Sequence, residues 1–238
     1  MVSPQGGLLW RVTPGHTLRL AAFQAFQPAS YTVLSPTHLA GFFIDAPVAS
    51  SSVSRQYHGA WDAELSATTF LTLGGFRREF DSPDYQTRPD GARERETLAR
   101  RRTGFSATLN QIIGRYLGAS LGYLHVHREG AGEHDGDDDL LRAGVNFVHP
   151  TGVSAGASAA YVQQDLGATR ERRAPRDFWV TTVAAGYELP DKRGSFSVTV
   201  ENPFRQRFDF HSIPGVRNDL VVTEIPDLRI LATLRLNF

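Results

Sequence analysis

The closing stretch Leu228-Arg229-Ile230-Leu231-Ala232-Thr233-Leu234-Arg235-Leu236-Asn237-Phe238 decides how the rest of the chain is read. Successive side chains of a β-strand point to opposite faces, so a period of two sorts this stretch into two sets. Leu228, Ile230, Ala232, Leu234, Leu236 and Phe238 share one face, while Arg229, Thr233, Arg235 and Asn237 share the other. Such a strand has a greasy side and a charged side, and any fold that holds it must keep the two apart.

The same division recurs upstream. Leu141, Ala143, Val145 and Phe147 alternate with Arg142, Gly144 and Asn146, and Phe105, Ala107 and Leu109 alternate with Ser106, Thr108 and Asn110. Trp61, Ala63, Leu65 and Ala67 oppose Asp62, Glu64 and Ser66; Phe196, Val198 and Val200 oppose Ser197, Thr199 and Glu201. Leu18, Leu20 and Ala22 flank Arg19, and Leu117, Ala119, Leu121 and Tyr123 face away from Gly118, Ser120 and Gly122. Helical periodicity with caps at both ends is scarce. The alternation predicts strands at about 7–13, 17–27, 57–67, 70–81, 100–110, 116–128, 139–149, 153–165, 177–189, 195–210 and 227–238. Short connections with turn chemistry fall at Pro14-Gly15-His16, Thr68-Thr69, Gln111 to Arg115, Pro150-Thr151-Gly152 and Pro190 to Gly194. They alternate with long polar ones at 28–56, 82–99, 129–138, 166–176 and 211–226.

Composition narrows the function. The 238 residues carry 25 Lys+Arg against 25 Asp+Glu, which gives no basic face for nucleic acid. With no Cys, neither a disulfide framework nor a Cys-ligated metal is available. No apolar run approaches the roughly 18 residues of a membrane-spanning helix. Strands escape that test, because only alternate residues need face lipid. A soluble barrel would turn its apolar face inward. Here the apolar faces hold Ala, Val and Leu with aromatics towards strand ends (Trp61, Tyr123, Phe147, Tyr161, Trp179, Tyr187, Phe238), as a membrane-interface girdle requires. The expected fold is all-β, an antiparallel up-and-down transmembrane β-barrel, or an incomplete one, of about 10–12 strands, with residues 1–238 forming a single barrel region.

The terminal Leu234, Leu236 and Phe238, read with the alternation before them, resemble the C-terminal assembly signal of Gram-negative outer-membrane proteins. That resemblance implies the barrel-assembly machinery as a partner and the outer membrane, with its lipid and lipopolysaccharide, as the location. Phe196 to Phe204, with Asn202-Pro203-Phe204, followed by Arg207-Phe208-Asp209-Phe210 and the last strand, is similar to the penultimate hairpin of TonB-dependent-receptor barrels. It is similar also to barrels fused behind periplasmic tetratricopeptide repeats, as is Trp10 to Gln27 followed by Leu34 to Phe42. Neither a plug nor helical repeats is present, so TonB-driven uptake does not carry over. Counting back from a periplasmic Phe238 gives eleven strands, whereas bacterial single-chain barrels are usually even-numbered. Together with a start at Met1 that has no export signal, this leads us to expect a barrel truncated at its N-terminus, with a plug or repeat domain upstream.

Three groups of residues are candidates for chemistry. Arg19, Asp62, Glu64, Arg142, Glu201, Arg229 and Arg235 alternate with apolar neighbours and are expected to face a wet interior, pairing across it or selecting charged solutes. The acidic run Glu133, Asp135, Asp137, Asp138 and Asp139, near His125, His127 and His134, could offer oxygen ligands to Ca²⁺, yet lacks EF-hand spacing and reads more simply as solvated loop. Basic clusters at Arg93 to Arg102 and Arg170 to Arg176 could meet lipopolysaccharide phosphates or be balanced by Glu94, Glu96 and Glu171. Catalysis would need a nucleophile or paired acids beside a His, and the His residues are scattered. The reading is a non-enzymatic barrel without cofactor, for transport, export or surface reception. The alternatives are an outer-membrane barrel hydrolase and a soluble ligand-binding barrel.

Overall fold

A computed structural model describes residues 4–26, 37–40, 42–44, 53–87, 93–130, 135–164, 177–206 and 228–236. They form thirteen strands: β1 (Gln5–Thr13), β2 (His16–Phe26), β3 (Thr37–Leu39), β4 (Phe42–Ile44), β5 (Val53–Ser66), β6 (Thr69–Thr87), β7 (Arg93–Ile113), β8 (Leu117–Gly130), β9 (Gly136–Val148), β10 (Val153–Gln164), β11 (Asp177–Glu188), β12 (Gly194–Glu201) and β13 (Arg229–Leu236). Eleven of these make one sheet in the order β1-β2-β5-β6-β7-β8-β9-β10-β11-β12-β13, and β3 and β4 pair separately. Apart from that small hairpin each strand pairs with the next along the chain, so the expected all-β, antiparallel up-and-down architecture is what forms.

Each strand reverses at a tight turn on one side and a longer connection on the other, because its neighbours are its sequence neighbours. Gly152 shows why the tight turns are specific. Its φ of +91° lies in the left-handed region, and a Cβ there would clash with the Glu188 carbonyl oxygen. Between β11 and β12 a 3₁₀ turn at Pro190–Lys192 makes the reversal.

The chain packs as two compact units. The first comprises Met1–Ala63, Thr72–Ser106 and His125–Asp137; the second comprises Glu64–Leu71, Ala107–Leu124 and Asp138–Phe238. In the second unit Val145 is 46 % exposed and Leu234 is 65 % exposed, whereas Arg142, on the opposite face of the strand that carries Val145, is half-buried. A soluble barrel would reverse that order.

Four details depart from the sequence expectation. First, β6 and β7 run to 19 and 21 residues, so most of 82–99 is strand rather than connection. At the base of the extension ion pairs join the strands, Arg101 with Glu79 and Glu129 and Arg55 with Asp81, while Arg77 pairs with Glu79 along β6. Second, the strand expected over 195–210 ends at Glu201. Asn202 takes φ +47°, accepts from the Gln206 N–H at 3.0 Å and donates to the Gln206 carbonyl at 2.9 Å, closing a turn. Third, part of the expected 28–56 connection holds the β3–β4 hairpin. Fourth, the acidic run is not all loop, since Asp137, Asp138 and Asp139 belong to β9.

Candidate functional site

The apolar face of the second unit is bounded at both ends by aromatic rings. Towards the long connections, the Tyr161 hydroxyl donates to Asp177 at 3.2 Å and its ring lies 5.1 Å from that of Trp179; the Tyr123 hydroxyl donates to Asp139. Towards the tight turns, Tyr116, Phe147 and His149 pack as a trio, with ring centroids 4.8 to 6.4 Å apart, and Tyr187 stands opposite Phe196. Between the two rows the face is aliphatic: Ala143, Val145, Ala157, Val183, Ala185 and Val198. Trp179 and Tyr187 are eight residues apart, about 27 Å along a strand. At a tilt of about 45° that spans roughly 20 Å, close to the apolar band of a membrane barrel, about 25 Å tall. Each hydroxyl turned to a carboxylate while its ring joins the aliphatic band is the amphipathic posture of an interfacial tyrosine.

The opposite face of the same strands is small and polar. A Cβ at Gly156 would meet Asn146 Oδ1 at 2.7 Å, one at Gly186 would meet Ser154 Oγ at 2.8 Å, and one at Gly144 would meet Ser120 Oγ at 3.1 Å. Two Gly-x-Ser-x-Gly stretches, Gly118–Gly122 and Gly152–Gly156, fall on this face. Ser120 lies within β8 and Ser154 within β10, so neither occupies the strand-to-helix elbow on which that motif works as a nucleophile.

In the first unit the polar face carries a more concentrated feature. Arg78 on β6, Arg102 on β7 and Arg128 on β8 are 4 %, 7 % and 3 % exposed. Cross-strand contacts give their alignment. A Cβ on Gly74 would touch Ser106 Oγ and one on Gly104 would touch the Phe76 ring, which sets Arg78 opposite Arg102. The Arg101–Glu129 pair at 2.9 Å, with Gly130 against Arg100, sets Arg102 opposite Arg128. Thr72 donating to Asp62 at 2.9 Å continues the row to Gln56 on β5, and Gln56 stands opposite Phe23 on β2. Directly opposed Cβ atoms are about 4.5–5.5 Å apart, so three guanidinium-bearing arms follow one another across three strands. Aromatic rings hold them: Arg78 Cζ is 4.9 Å from the Phe76 centroid and Arg102 Cζ is 5.4 Å from that of Phe80. Phe76 in turn stacks on His58 at 6.0 Å, and His58 on Phe23 at 5.5 Å. Gln56 Nε2 donates to Ser54 Oγ at 2.6 Å, and both residues are fully buried.

Of the residues expected to face a wet interior, the structure brings together two pairs. Arg19 grips Asp62 through both nitrogens, Nε to Oδ2 at 2.6 Å and Nη2 to Oδ1 at 3.0 Å. Arg229 stands opposite Glu201 in the β12–β13 register and donates to it at 2.6 to 2.7 Å. Arg142 lies opposite Ala160, Arg235 is exposed opposite Ser195, and Glu64 is exposed on β5. Replacing Arg19 by Met is expected to strand Asp62 with Thr72 as a donor. Since the pair is partly solvated, the expected loss is about 1 kcal/mol, read as a lower urea midpoint for the detergent-folded protein; Arg19→Lys should recover only part of it, having no fork to offer.

The candidate metal ligands do not converge. Asp135 accepts from the Gly130 N–H at 3.1 Å, Asp137 Oδ1 lies 2.8 Å from His127 Nδ1 and 3.7 Å from His125 Nε2, Asp138 is fully buried opposite Gln164, and Asp139 accepts from Tyr123. Strand alternation sends these acids to different faces, and among the described residues no three His, Asp or Glu side chains are grouped to hold a metal. Glu133 lies outside the described residues, as do Arg170 to Arg176 and Phe238; Leu234 and Leu236 stand on β13 opposite Phe196 and Gly194. Sequence reasoning missed Arg78, Arg128 and Gln56.

No protein-family model matches the chain, and no curated protein matches it. Among solved structures it is similar to the ferric-catecholate import receptor Fiu from E. coli K12 in its closed form, with TM-score 0.56 and 14 % identity over 98 % of this chain and 34 % of the receptor. It is also similar to the ferripyoverdine receptor of the outer membrane of Pseudomonas aeruginosa, bound to ferripyoverdine, with TM-score 0.56 and 15 % identity over 87 % of this chain and 29 % of that one. The chain thus spans about a third of the length of these receptors. At such identity the likeness is one of fold: the antiparallel strand wall of an outer-membrane β-barrel.

Proposed function

We propose that this chain forms barrel wall in the outer membrane of a Gram-negative bacterium, where it serves the passage or surface reception of a solute, with no catalytic step of its own. The observation that carries this reading is the exposed aliphatic band between two aromatic rows, backed on the other face of the same strands by small polar residues and the Glu201–Arg229 ion pair. Water on the band side would face a large contiguous apolar patch, which a soluble monomer rarely tolerates; hydrocarbon there removes the penalty. The fold likeness to two outer-membrane receptors agrees with that environment. The likeness to barrels fused behind tetratricopeptide repeats gains nothing from these matches.

The test is to refold the purified chain in the presence of lipid vesicles and float them through a density gradient after a carbonate wash. The protein should travel with the lipid and resist protease along β8–β12. If it remained monomeric and folded in detergent-free buffer and stayed at the bottom of the gradient, the soluble ligand-binding barrel would replace this reading.

A further inference from the structure

We infer that the arginine row on β6, β7 and β8 is a binding station for small solutes carrying two or more oxyanion groups, carboxylate or phosphate. The inference rests on the reading above and names the class of solute that its polar face would take.

The row combines three properties that an anion site needs. The first is charge density. Arg78, Arg102 and Arg128 follow one another at the spacing of neighbouring strands, and like charges directly opposed across a sheet oppose folding. An anion lying along the row would meet all three arms at once. The second is order. The cation–π contacts to Phe76 and Phe80 and the stack Phe23–His58–Phe76 fix two of the guanidinium planes, so a ligand does not have to immobilise them. The third is donor capacity. Each of the three arginines already has protein partners, but a guanidinium presents five N–H donors in a planar fork, enough to keep a protein partner and grip an oxygen pair as well.

The distribution of acids on the neighbouring strands adds to this. Glu79, Asp81 and Glu129 are engaged with Arg77, Arg101 and Arg55. Arg77 and Arg101 sit next in sequence to Arg78 and Arg102 and so project from the other face of the sheet. The acids of that other face are thus taken up there, and on the row's own face Asp62 is held by Arg19. Polyanions with groups a few ångströms apart match the step from strand to strand; a neutral sugar does not.

The experiment uses the full chain, first shown to enter vesicles as above and then held in a zwitterionic detergent at constant ionic strength. Citrate, pyrophosphate and neutral sucrose are titrated by isothermal calorimetry. Citrate or pyrophosphate, or both, should bind saturably and sucrose should not; the stronger of the two anions tells carboxylate from phosphate. Arg102→Gln, which removes the middle arm, should weaken that anion at least tenfold, and Arg128→Gln should do the same if the first variant fails to fold. Arg77→Gln, on the opposite face, should leave binding within twofold. Absence of saturable binding by either anion to the vesicle-competent wild type would overturn the inference while leaving the membrane reading in place. So would equal weakening by Arg77→Gln and Arg102→Gln, which would mark a diffuse charge effect. Failure to enter vesicles would instead count against the membrane reading.

Discussion

Replacing Val183 by Arg should largely abolish stable insertion into vesicles, while Thr182→Arg, one residue away, should be tolerated. Val183 lies midway between Trp179 and Tyr187 on the aliphatic band, 42 % exposed, opposite Val200 on β12 and Ala157 on β10. A guanidinium at that depth on a lipid-facing position costs roughly 2–4 kcal/mol, and its arm is flanked by aliphatic neighbours on both sides. Thr182 projects to the other face and stands opposite Glu201 and Ser158, where an Arg would find a carboxylate and water. The measurement is the fraction of protein that floats with lipid and runs as the compact, heat-sensitive form on a gel. Leu234→Arg on β13, also on the band face, should behave like Val183→Arg with a smaller deficit, being nearer the tight-turn rim. Equal tolerance of Val183→Arg and Thr182→Arg would mean that the faces have been assigned the wrong environments.

The second large effect is expected from a single methyl group. A Cβ on Gly104 would lie 2.5 Å from the His125 carbonyl oxygen and 2.6 to 2.8 Å from two carbons of the Phe76 ring. One of these contacts is backbone and cannot turn aside, and the other is the ring beneath Arg78. Phe76 therefore lies flat across Gly104 because nothing stands in its way, the arrangement by which an aromatic covers a glycine in a neighbouring strand. Gly104→Ala should cost about 1–3 kcal/mol, as overpacking does, visible as a lower urea midpoint in detergent. It should also weaken anion binding, since the displaced ring carries Arg78 with it. Gly118→Ala is the matching control. Its added Cβ would meet only the Asn146 carbonyl at 4.0 Å, and stability should hold or rise slightly.

The strand pattern could be read from the sequence because both faces were written in it: Leu141, Ala143 and Val145 against Arg142 and Gly144 leaves one workable period, and the same holds at Ile230 to Leu236. The outer stretches of β6 and β7 were hidden for the opposite reason. Beyond Phe76 and before Phe105 the strands carry charge on both faces, so Arg77 and Arg78, or Arg101 and Arg102, look like an exposed basic patch although each pair straddles the sheet. Asn202 ended a promising alternation through its backbone, which no hydrophobic pattern records. The pairs Arg19–Asp62 and Glu201–Arg229 joined residues already suspected of sharing a face. The arginine row did not, because its members come from three strands and meet only once the turns have fixed which position faces which. A signal was present nonetheless. With the turns after Ser66, after Thr87 and after Ile113 as centres of folding, Gln56, Arg78, Arg102 and Arg128 are successive reflections of one another along the chain.

The lengths of β6 and β7 carry a last consequence. Crossing a bilayer takes about 9–11 tilted residues, so strands of 19 and 21 residues have about ten left over, roughly 25 Å of height at a tilt near 40°. On the membrane reading that surplus extends past the lipid as a parapet, laced at its base by Arg77, Glu79, Arg101 and Glu129. On that reading, whatever approaches the membrane from this side meets the edge of β6 and β7 well before the headgroups.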